Sequence, residues 1–285
     1  MMAALPLRSV LTRWRSLCCC LIVALVLGGA DDCPARGVSK RTKRSAQGSS
    51  ASETVADESV AEQVNDPTSF LREIRIDTTV GHGEGSQHTT VEWIPTLAMP
   101  LSQRTRFEAG IPILSNGPED DDELELGDIY LSAAYIFFQS AAANALADLR
   151  IDLPTGNDRT GAGMNVTQWH ATVGSVIYTF LDDGFLIVPF LEYRRSIFGR
   201  PDSVRVSSVI GSVGLIYLMS ENSYVRSDWT VNFNEADDWG DSALLSVEVG
   251  RVFMDRYSLA LGYEFDLWGD AEIRNAAIVS VGYLF

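Results

Sequence analysis

Lysine is absent from the chain after Lys43, so arginine alone carries the positive charge of the remaining residues. Eight of the 22 basic residues and only two of the 38 acidic residues precede Ser45, which leaves a net charge of −22 from Ser45 onward. A polyanion is repelled by such a field, so we predict no nucleic-acid partner. Acidic loops facing divalent cations and a lipopolysaccharide surface fit this charge, and so do the solvated loops of a soluble protein.

Long apolar runs are also scarce, and the chain has one, at 17–30. It is shorter than the roughly 20 residues of a transmembrane helix. Arginines precede it, and Gly28 and Ala30 stand where a signal peptidase prefers small residues. We therefore predict a secretory signal peptide over residues 1–30. A lipoprotein signal before Cys33 is the alternative, although an aspartate stands where the lipobox requires a small residue.

Cysteine and histidine are few. Three of the four cysteines lie inside the apolar run, so a processed chain keeps only Cys33 and has no internal disulfide. His82 and His88 flank a glycine-rich loop whose spacing would suit a surface metal, although a solvated loop is the favoured interpretation. His170 lies in a predicted strand, on the face opposite Trp169. We predict no metal site and no cofactor.

The segment after the signal, residues 31–67, is rich in serine, alanine and charge and has no aromatic residue. We predict a flexible periplasmic tail there, because such a composition cannot bury a core. Within it, residues 53–64 fit a short helix formed on binding, and simple disorder is the favoured interpretation.

From Phe70 onward the hydrophobic pattern repeats every second residue, and no stretch of comparable length keeps a helical period. The even count of twelve strands matches single-chain bacterial outer-membrane barrels, and most of the strands are long enough to cross a bilayer when tilted. A hydrophobic content of 46% does not oppose this, since only alternate residues of a barrel face lipid. We predict an all-β, transmembrane antiparallel up-and-down barrel over residues 68–285. Its strands cover 70–81, 88–99, 102–113, 126–138, 144–153, 167–180, 185–195, 203–219, 222–234, 241–253, 256–267 and 273–285.

One face of many of these strands is apolar and the other is polar. In 256–267 the odd positions, such as Tyr257 and Leu261, are apolar, whereas the even positions, such as Glu264 and Asp266, are polar. A β-sandwich also alternates, but here aromatic residues gather toward the ends of the apolar faces, as in the interfacial girdles of barrels. The charged residues predicted to line the lumen are Glu73, Arg75, Asp77, Glu92, Arg104, Arg106, Glu108, Asp148, Arg150, Asp152, Arg226, Asp228, Glu248, Glu264 and Asp266.

These lumenal charges allow two interpretations, and both stay open. The charges line a water-filled path and sort solutes by charge, or they pair across the lumen and close it as a polar core. Twelve strands enclose less room than the 16–18 strands of a porin, which is compatible with a lumen closed by paired charges.

The connections alternate between long and short. Long ones such as 114–125 and 154–166 alternate with tight ones such as 220–221 and 254–255. Placing both termini in the periplasm puts the long connections outside the cell, as outer-membrane barrels have them.

The last strand ends the chain on an aromatic residue. Its apolar face includes Val279, Val281, Tyr283 and Phe285. This ending resembles the C-terminal signal recognised by barrel-assembly machinery, for which Val281, Tyr283 and Phe285 are the candidate residues. An edge strand of a soluble fold is the alternative.

Two short strings resemble a known family. They are Leu126-Gly-Asp-Ile-Tyr-Leu-Ser-Ala-Ala-Tyr135 and Leu149-Arg-Ile-Asp-Leu-Pro-Thr-Gly-Asn157. They are similar to the glycine-aspartate strand and the LPTG-type strand end of the outer-membrane proteins grouped as the meta-pathway phenol-degradation family, also called transporter-like barrels. The resemblance covers roughly residues 70–285 and implies an outer-membrane barrel involved in the uptake of hydrophobic or aromatic compounds.

We therefore predict a passive channel or transporter for small, hydrophobic or aromatic solutes in the outer membrane. The predicted partners are outer-membrane lipid and lipopolysaccharide, the barrel-assembly machinery and a small-molecule solute. One alternative is a non-conducting structural barrel whose acidic loops bind cations or protein partners. The acidic run 119–123 lacks the alternate spacing of a calcium loop.

The other alternative is a barrel lipase or protease. A hydrolase of this kind needs a histidine beside a nucleophile, oriented by a third polar group. Ser175 and Ser242 are available, but nothing in the sequence pairs either of them with His170. We predict no enzymatic activity.

Overall fold

A computed structural model describes residues 59–83, 89–116, 124–156, 166–178, 184–199, 206–234, 240–269 and 273–285. The predicted signal peptide and the first part of the predicted tail, up to residue 58, lie outside these ranges. The described chain contains one short helix and fourteen strand segments.

The helix, α1, spans Val60–Asn65. The strand segments are β1 (Glu73–Gly83), β2 (Thr89–Ser102), β3 (Thr105–Gly110), β4 (Ile113–Asn116), β5 (Leu124–Leu126), β6 (Tyr130–Gln139), β7 (Ala143–Asp152), β8 (Val166–Tyr178), β9 (Phe185–Gly199), β10 (Ser207–Ser220), β11 (Ser223–Asn234), β12 (Ser242–Phe253), β13 (Tyr257–Gly269) and β14 (Ile273–Leu284).

The sheet closes on itself. All pairings between segments are antiparallel, and β1 pairs with both β2 and β14. The segments β3 and β4 both pair with β2 and act as one strand, and β5 and β6 continue one another in the same way on its other side. The molecule is therefore a twelve-stranded antiparallel up-and-down barrel, and the predicted fold class is confirmed.

Two of the predicted strands are interrupted, and proline and glycine account for the breaks. Strand 102–113 was predicted as continuous, but Pro112 has no N–H to donate to a ladder, so pairing stops between β3 and β4. The facing strand breaks opposite it at Gly127, whose N–H donates to the Pro112 carbonyl oxygen over 2.8 Å. The β4 segment also extends past the predicted end, to Asn116.

The outer face of the barrel is apolar and exposed. Large apolar side chains point outward along every long strand, with exposed fractions such as 64% for Leu149, 58% for Leu261 and 51% for Val281. A continuous surface of this kind is unfavourable in water and matches the hydrocarbon layer of a membrane. The other face looks into the lumen.

The two ends of the barrel differ. Turns at 103–104, 140–142, 221–222 and 254–256 lie at the end where β1 starts and β14 finishes, which we call the short-turn end. In the turn at 254–256, Met254 and Asp255 both have positive φ, and the Arg256 N–H donates to the Phe253 carbonyl oxygen over 3.1 Å, as in a type I′ turn. The long connections lie at the opposite end, which we call the long-loop end.

The N-terminal part of the described chain, residues 59–71, lies inside the lumen at the short-turn end, and we call it the lumenal segment. Ser59 caps α1 by accepting a hydrogen bond from the Glu62 N–H. Ala61 is fully buried against lumenal side chains that include Val188 and Ile216. Its N–H donates to the Glu221 carbonyl oxygen at the short-turn end over 3.1 Å.

This order departs from the flexible tail expected through residue 67. The composition of the segment hides the fact that Ala61 and Asp66 find buried partners on the barrel wall, which offset the entropy lost on ordering. No helix in the described ranges is long and apolar enough to cross a membrane.

Candidate functional site

The lumenal face is charged along its whole length. Strand register places on this face eleven of the charged residues predicted to line the lumen: Arg75, Glu92, Arg106, Glu108, Asp148, Arg150, Asp152, Arg226, Asp228, Glu264 and Asp266. Glu73, Asp77 and Glu248 share the face. Arg104 differs from the expectation, because Gln103 and Arg104 form the exposed turn between β2 and β3.

The lumenal arginines pair along their own strands. Arg75 Nε lies 2.8 Å from Asp77, Arg150 Nε lies 2.6 Å from Asp152, and Arg226 Nε lies 2.6 Å from Asp228. The same spacing pairs Arg106 with Glu108, at 3.4 Å, and Arg194 with Glu192. Residues two apart on a strand point to the same face, so an arginine reaches such a carboxylate while lying flat on the wall.

This geometry bears on the two arrangements that the sequence left open. The ion pairs among the described strands join residues of one strand or of neighbouring strands, and none of them spans the lumen. The charges therefore line the wall and leave the centre to the lumenal segment.

His170 stands at the centre of a polar network on three strands. Its Nδ1 is 3.1 Å from Glu192 Oε1, and its Nε2 is 3.0 Å from Asp152 Oδ2, a distance of ionic contact without the alignment of a hydrogen bond. Thr172 donates to the same Glu192. Glu192 and Arg194 were not among the sequence candidates, although their positions in strand 185–195 place them on its polar face.

Two tyrosines on opposite sides of the barrel make the same three-residue contact. Tyr130 covers Gly110 on the neighbouring strand and donates to Glu108 over 3.1 Å. Tyr224 covers Gly250 and donates to Glu248 over 2.8 Å. In both, the glycine follows the glutamate by two residues, and a Cβ on it would lie within 2.4 Å of the ring. The sequence signal is an E-x-G string in a strand.

The lumenal segment is attached to the wall by polar and apolar contacts. Tyr178 donates to Asp66, and Asn144 donates to Thr68 over 3.0 Å. Phe70 stacks beneath the Arg106 guanidinium, 5.4 Å from ring centre to carbon. The segment thus crosses the lumen near the short-turn end and contacts several sides of the wall.

A cavity of about 290 Å³ remains between the lumenal segment and the wall. Its wall side is lined by Glu73, Arg75, Arg106, Glu108 and Arg226, with Val188 and Phe190, and its other side by residues 63–71. The cavity is polar and suits water or a small polar solute.

The two strings that carry the family resemblance meet in space. Asp128 accepts a hydrogen bond from the Gly156 N–H over 2.9 Å, and Thr155 Oγ1 accepts one from the Ile129 N–H over 2.9 Å. The Leu153 N–H donates to the Ile129 carbonyl oxygen. This clasp joins the interrupted strand at 127–129 to the end of β7 at the long-loop end.

The C-terminal residues alternate between the two faces of β14. Val281, Tyr283 and Phe285 face outward, and the rings of Tyr283 and Phe285 stack with centres 6.2 Å apart. The Phe285 N–H donates to the Arg72 carbonyl oxygen, which ties the two ends of the barrel chain together.

The remaining candidates are the histidines, the two serines and the acidic run. The contacts of His170 are to carboxylates, and no described hydrogen bond joins it to Ser175 or Ser242. No described group of three or more histidine, cysteine or acidic side chains is arranged to hold a metal ion. The side chain of His82, all of His88 and the acidic run 119–123 lie outside the described residues.

Comparison with known proteins supports the fold. No protein-family model matches the chain, and no curated protein matches it by sequence. The COG4313 outer membrane channel from Pseudomonas putida F1 is similar in structure, with a TM-score of 0.61 and 15% identity over 75% of this chain and 96% of the channel. The NanC porin is similar with a TM-score of 0.52 and 8% identity over 74% of this chain and 98% of the porin. At such identities the likeness shows the barrel fold alone.

Proposed function

We propose that this protein is an outer-membrane channel that admits small solutes and that the lumenal segment closes it at rest. The observation that carries the proposal is the charged lumenal wall, whose arginines pair along the strands and leave a central path. A barrel built only for structure has no need of a wall that keeps water-compatible charge along its length. The resemblance of the two motif strings suggests hydrophobic or aromatic solutes as the class admitted.

The orientation follows from the ends. The short-turn end, with both termini of the barrel and the lumenal segment, faces the periplasm, and the long-loop end faces outside, where lipopolysaccharide lies. The barrel-assembly machinery would then meet the C-terminal strand from the periplasmic side.

Closure by the lumenal segment makes this channel testable through one residue. Ala61 has no exposed surface in its seat among Val188, Ile216 and Tyr224. A tryptophan there does not fit, so the Ala61→Trp full-length protein should release the segment. Ala141→Trp, in an exposed short turn at the same end, is the matched control.

In planar bilayers we expect the wild type and Ala141→Trp to conduct rarely and Ala61→Trp to conduct often. Asp66→Asn combined with Tyr178→Phe, which weakens a different contact of the segment, should raise conductance in the same direction. If both released variants keep the barrel's circular dichroism and yet pass neither ions nor solutes in liposomes, the channel proposal fails. That result would favour a closed structural barrel, for which the buried seat of the lumenal segment is the supporting observation.

A further inference from the structure

We propose that the open lumen prefers cations to anions, an inference that rests on the channel function proposed above. Carboxylates are more than twice as numerous as arginines among the lumenal strand residues whose side chains are described. The acidic ones are Glu73, Asp77, Glu92, Glu108, Glu125, Asp148, Asp152, Glu192, Asp228, Glu248, Glu264 and Asp266, and the basic ones are Arg75, Arg106, Arg150, Arg194 and Arg226.

The positive charge of these five arginines is neutralised by neighbouring carboxylates. Each of these arginines lies against the carboxylate two residues along its own strand, and the Arg226 fork is bidentate, with contacts of 2.6 and 3.0 Å. Such a pair presents a solute with a dipole and little net charge. The field in the lumen is therefore set by the excess of carboxylates over arginines on the described wall.

The carboxylates outside the closest arginine pairs are distributed along the path. Glu73 shares Arg75 with Asp77 at a longer distance of 3.6 Å, and Asp148 and Glu248 are held by the neutral hydroxyls of Ser132 and Tyr224. A hydroxyl fixes a carboxylate in position without cancelling its charge.

Three described lumenal carboxylates lie toward the long-loop end. Glu264 and Asp266 stand two residues apart on β13, and Glu92 is close to the same end on β2. Asp266 Oδ1 is buried and has no hydrogen-bond partner among the described residues. A cation entering from this end would meet Glu264 and Asp266, for which the described wall shows no ion pair.

The lumenal segment does not reverse this balance. Residues 59–71 include Glu62 and Asp66 and no basic residue. Its seat rests on apolar packing, hydrogen bonds and the Phe70 stack, so its release adds no positive charge to the path and removes none. A narrow lumen with low-dielectric walls concentrates the field of such charges on a passing ion.

The test is the reversal potential of full-length Ala61→Trp in a KCl gradient, which gives the permeability ratio of K⁺ to Cl⁻. We expect a ratio several-fold above one. Glu264→Gln with Asp266→Asn should lower it toward one. Glu221→Gln with Asp255→Asn removes two carboxylates from exposed turns at the short-turn end and should leave it unchanged.

The outcomes separate the two proposals. A conducting channel with a ratio at or below one overturns the cation preference and leaves the channel function standing. If the channel is cation-selective but Glu264→Gln with Asp266→Asn leaves the permeability ratio unchanged, these two residues are not the selective charges. A folded barrel without conductance overturns both proposals, because the preference then has no path to act on.

Discussion

Asp128 accepts a hydrogen bond from the backbone N–H of Gly156, 28 residues along the chain, over 2.9 Å. The contact sits where the strand formed by β5 and β6 is interrupted, so a side chain replaces a ladder bond that the backbone cannot make there. Thr155 completes the clasp by accepting from the Ile129 N–H. A charged acceptor on a backbone N–H is among the stronger hydrogen bonds of a protein.

We expect Asp128→Ala to destabilise the barrel by about 1–2 kcal/mol, because the Gly156 N–H loses its acceptor at a partly buried site. The temperature at which the barrel loses its compact mobility in SDS gels measures the change. Asp128→Asn keeps the accepting oxygen and should recover most of the stability. Equal losses in the two variants would mean that the carboxylate charge matters and the acceptor geometry does not.

The clasp shows what local strings can and cannot predict. Gly127 and Pro154 predict a turn and a strand end, and both lie at breaks in pairing. That the two breaks bind one another is invisible in sequence, because the contact depends on the register of β6 on β7. Pro112 indicates a break in strand 102–113, whereas the period-2 alternation predicts a continuous strand. The structure follows the proline.

Tyr224 and Gly250 offer a test of packing in the lumen. A Cβ at position 250 would lie 2.1 Å from the ring of Tyr224, so Gly250→Ala should cost about 1–3 kcal/mol in the free energy of unfolding. Tyr224→Ala frees the space at the expense of the hydrogen bond to Glu248. The double variant should then be more stable than the sum of the two single losses predicts, as a double-mutant cycle in a urea refolding titration would report. Additive losses would show that the ring is not what excludes a side chain there.

The sequence predicts which residues face the lumen but not which ion pairs they form. Alternation alone assigns Arg150, Asp152 and Arg226 to one face, because a strand's period is fixed at two. Whether an arginine pairs along its strand or across the lumen depends on barrel diameter and on what fills the centre, and neither is local. The ordered packing of Ala61 and Asp66 could not be predicted for the same reason, because their partners lie on strands from β8 to β13.

Glu62 predicts a pH dependence of closure. Burial in the seat raises the pKa of this carboxyl, against a smaller lowering by a backbone hydrogen bond of Ser59, and the charge of Asp66 raises it further. The seated segment therefore holds its proton at a higher pH than the released one. Seating gains stability as the pH falls through the raised pKa and loses that gain above it.

We expect channel openings of the wild type to become rarer as the pH is lowered from about 7 toward the ordinary carboxyl range near 4.5. Glu62→Gln mimics the protonated form, so its openings should be rare at both ends of that range. Single-channel recording at fixed voltage measures the difference. If Glu62→Gln keeps the wild-type pH response, Glu62 is not the titrating group, and another residue of the lumen is responsible.

We expect the Phe285 ring to matter for assembly of the barrel and little for its stability. Its ring is half exposed on the outer face and stacks on Tyr283, while its backbone N–H, which any residue supplies, makes the bond to Arg72. Removing the ring should therefore cost little in the folded barrel and much in recognition of the terminal strand. We expect Phe285→Ala to refold in detergent nearly as well as the wild type and to accumulate far less in the outer membrane of expressing cells. Phe253→Ala removes an outward phenylalanine from the same short-turn end and is the matched control. Equal membrane yields for the two variants would show that Phe285 has no role in assembly beyond that of another lipid-facing aromatic residue.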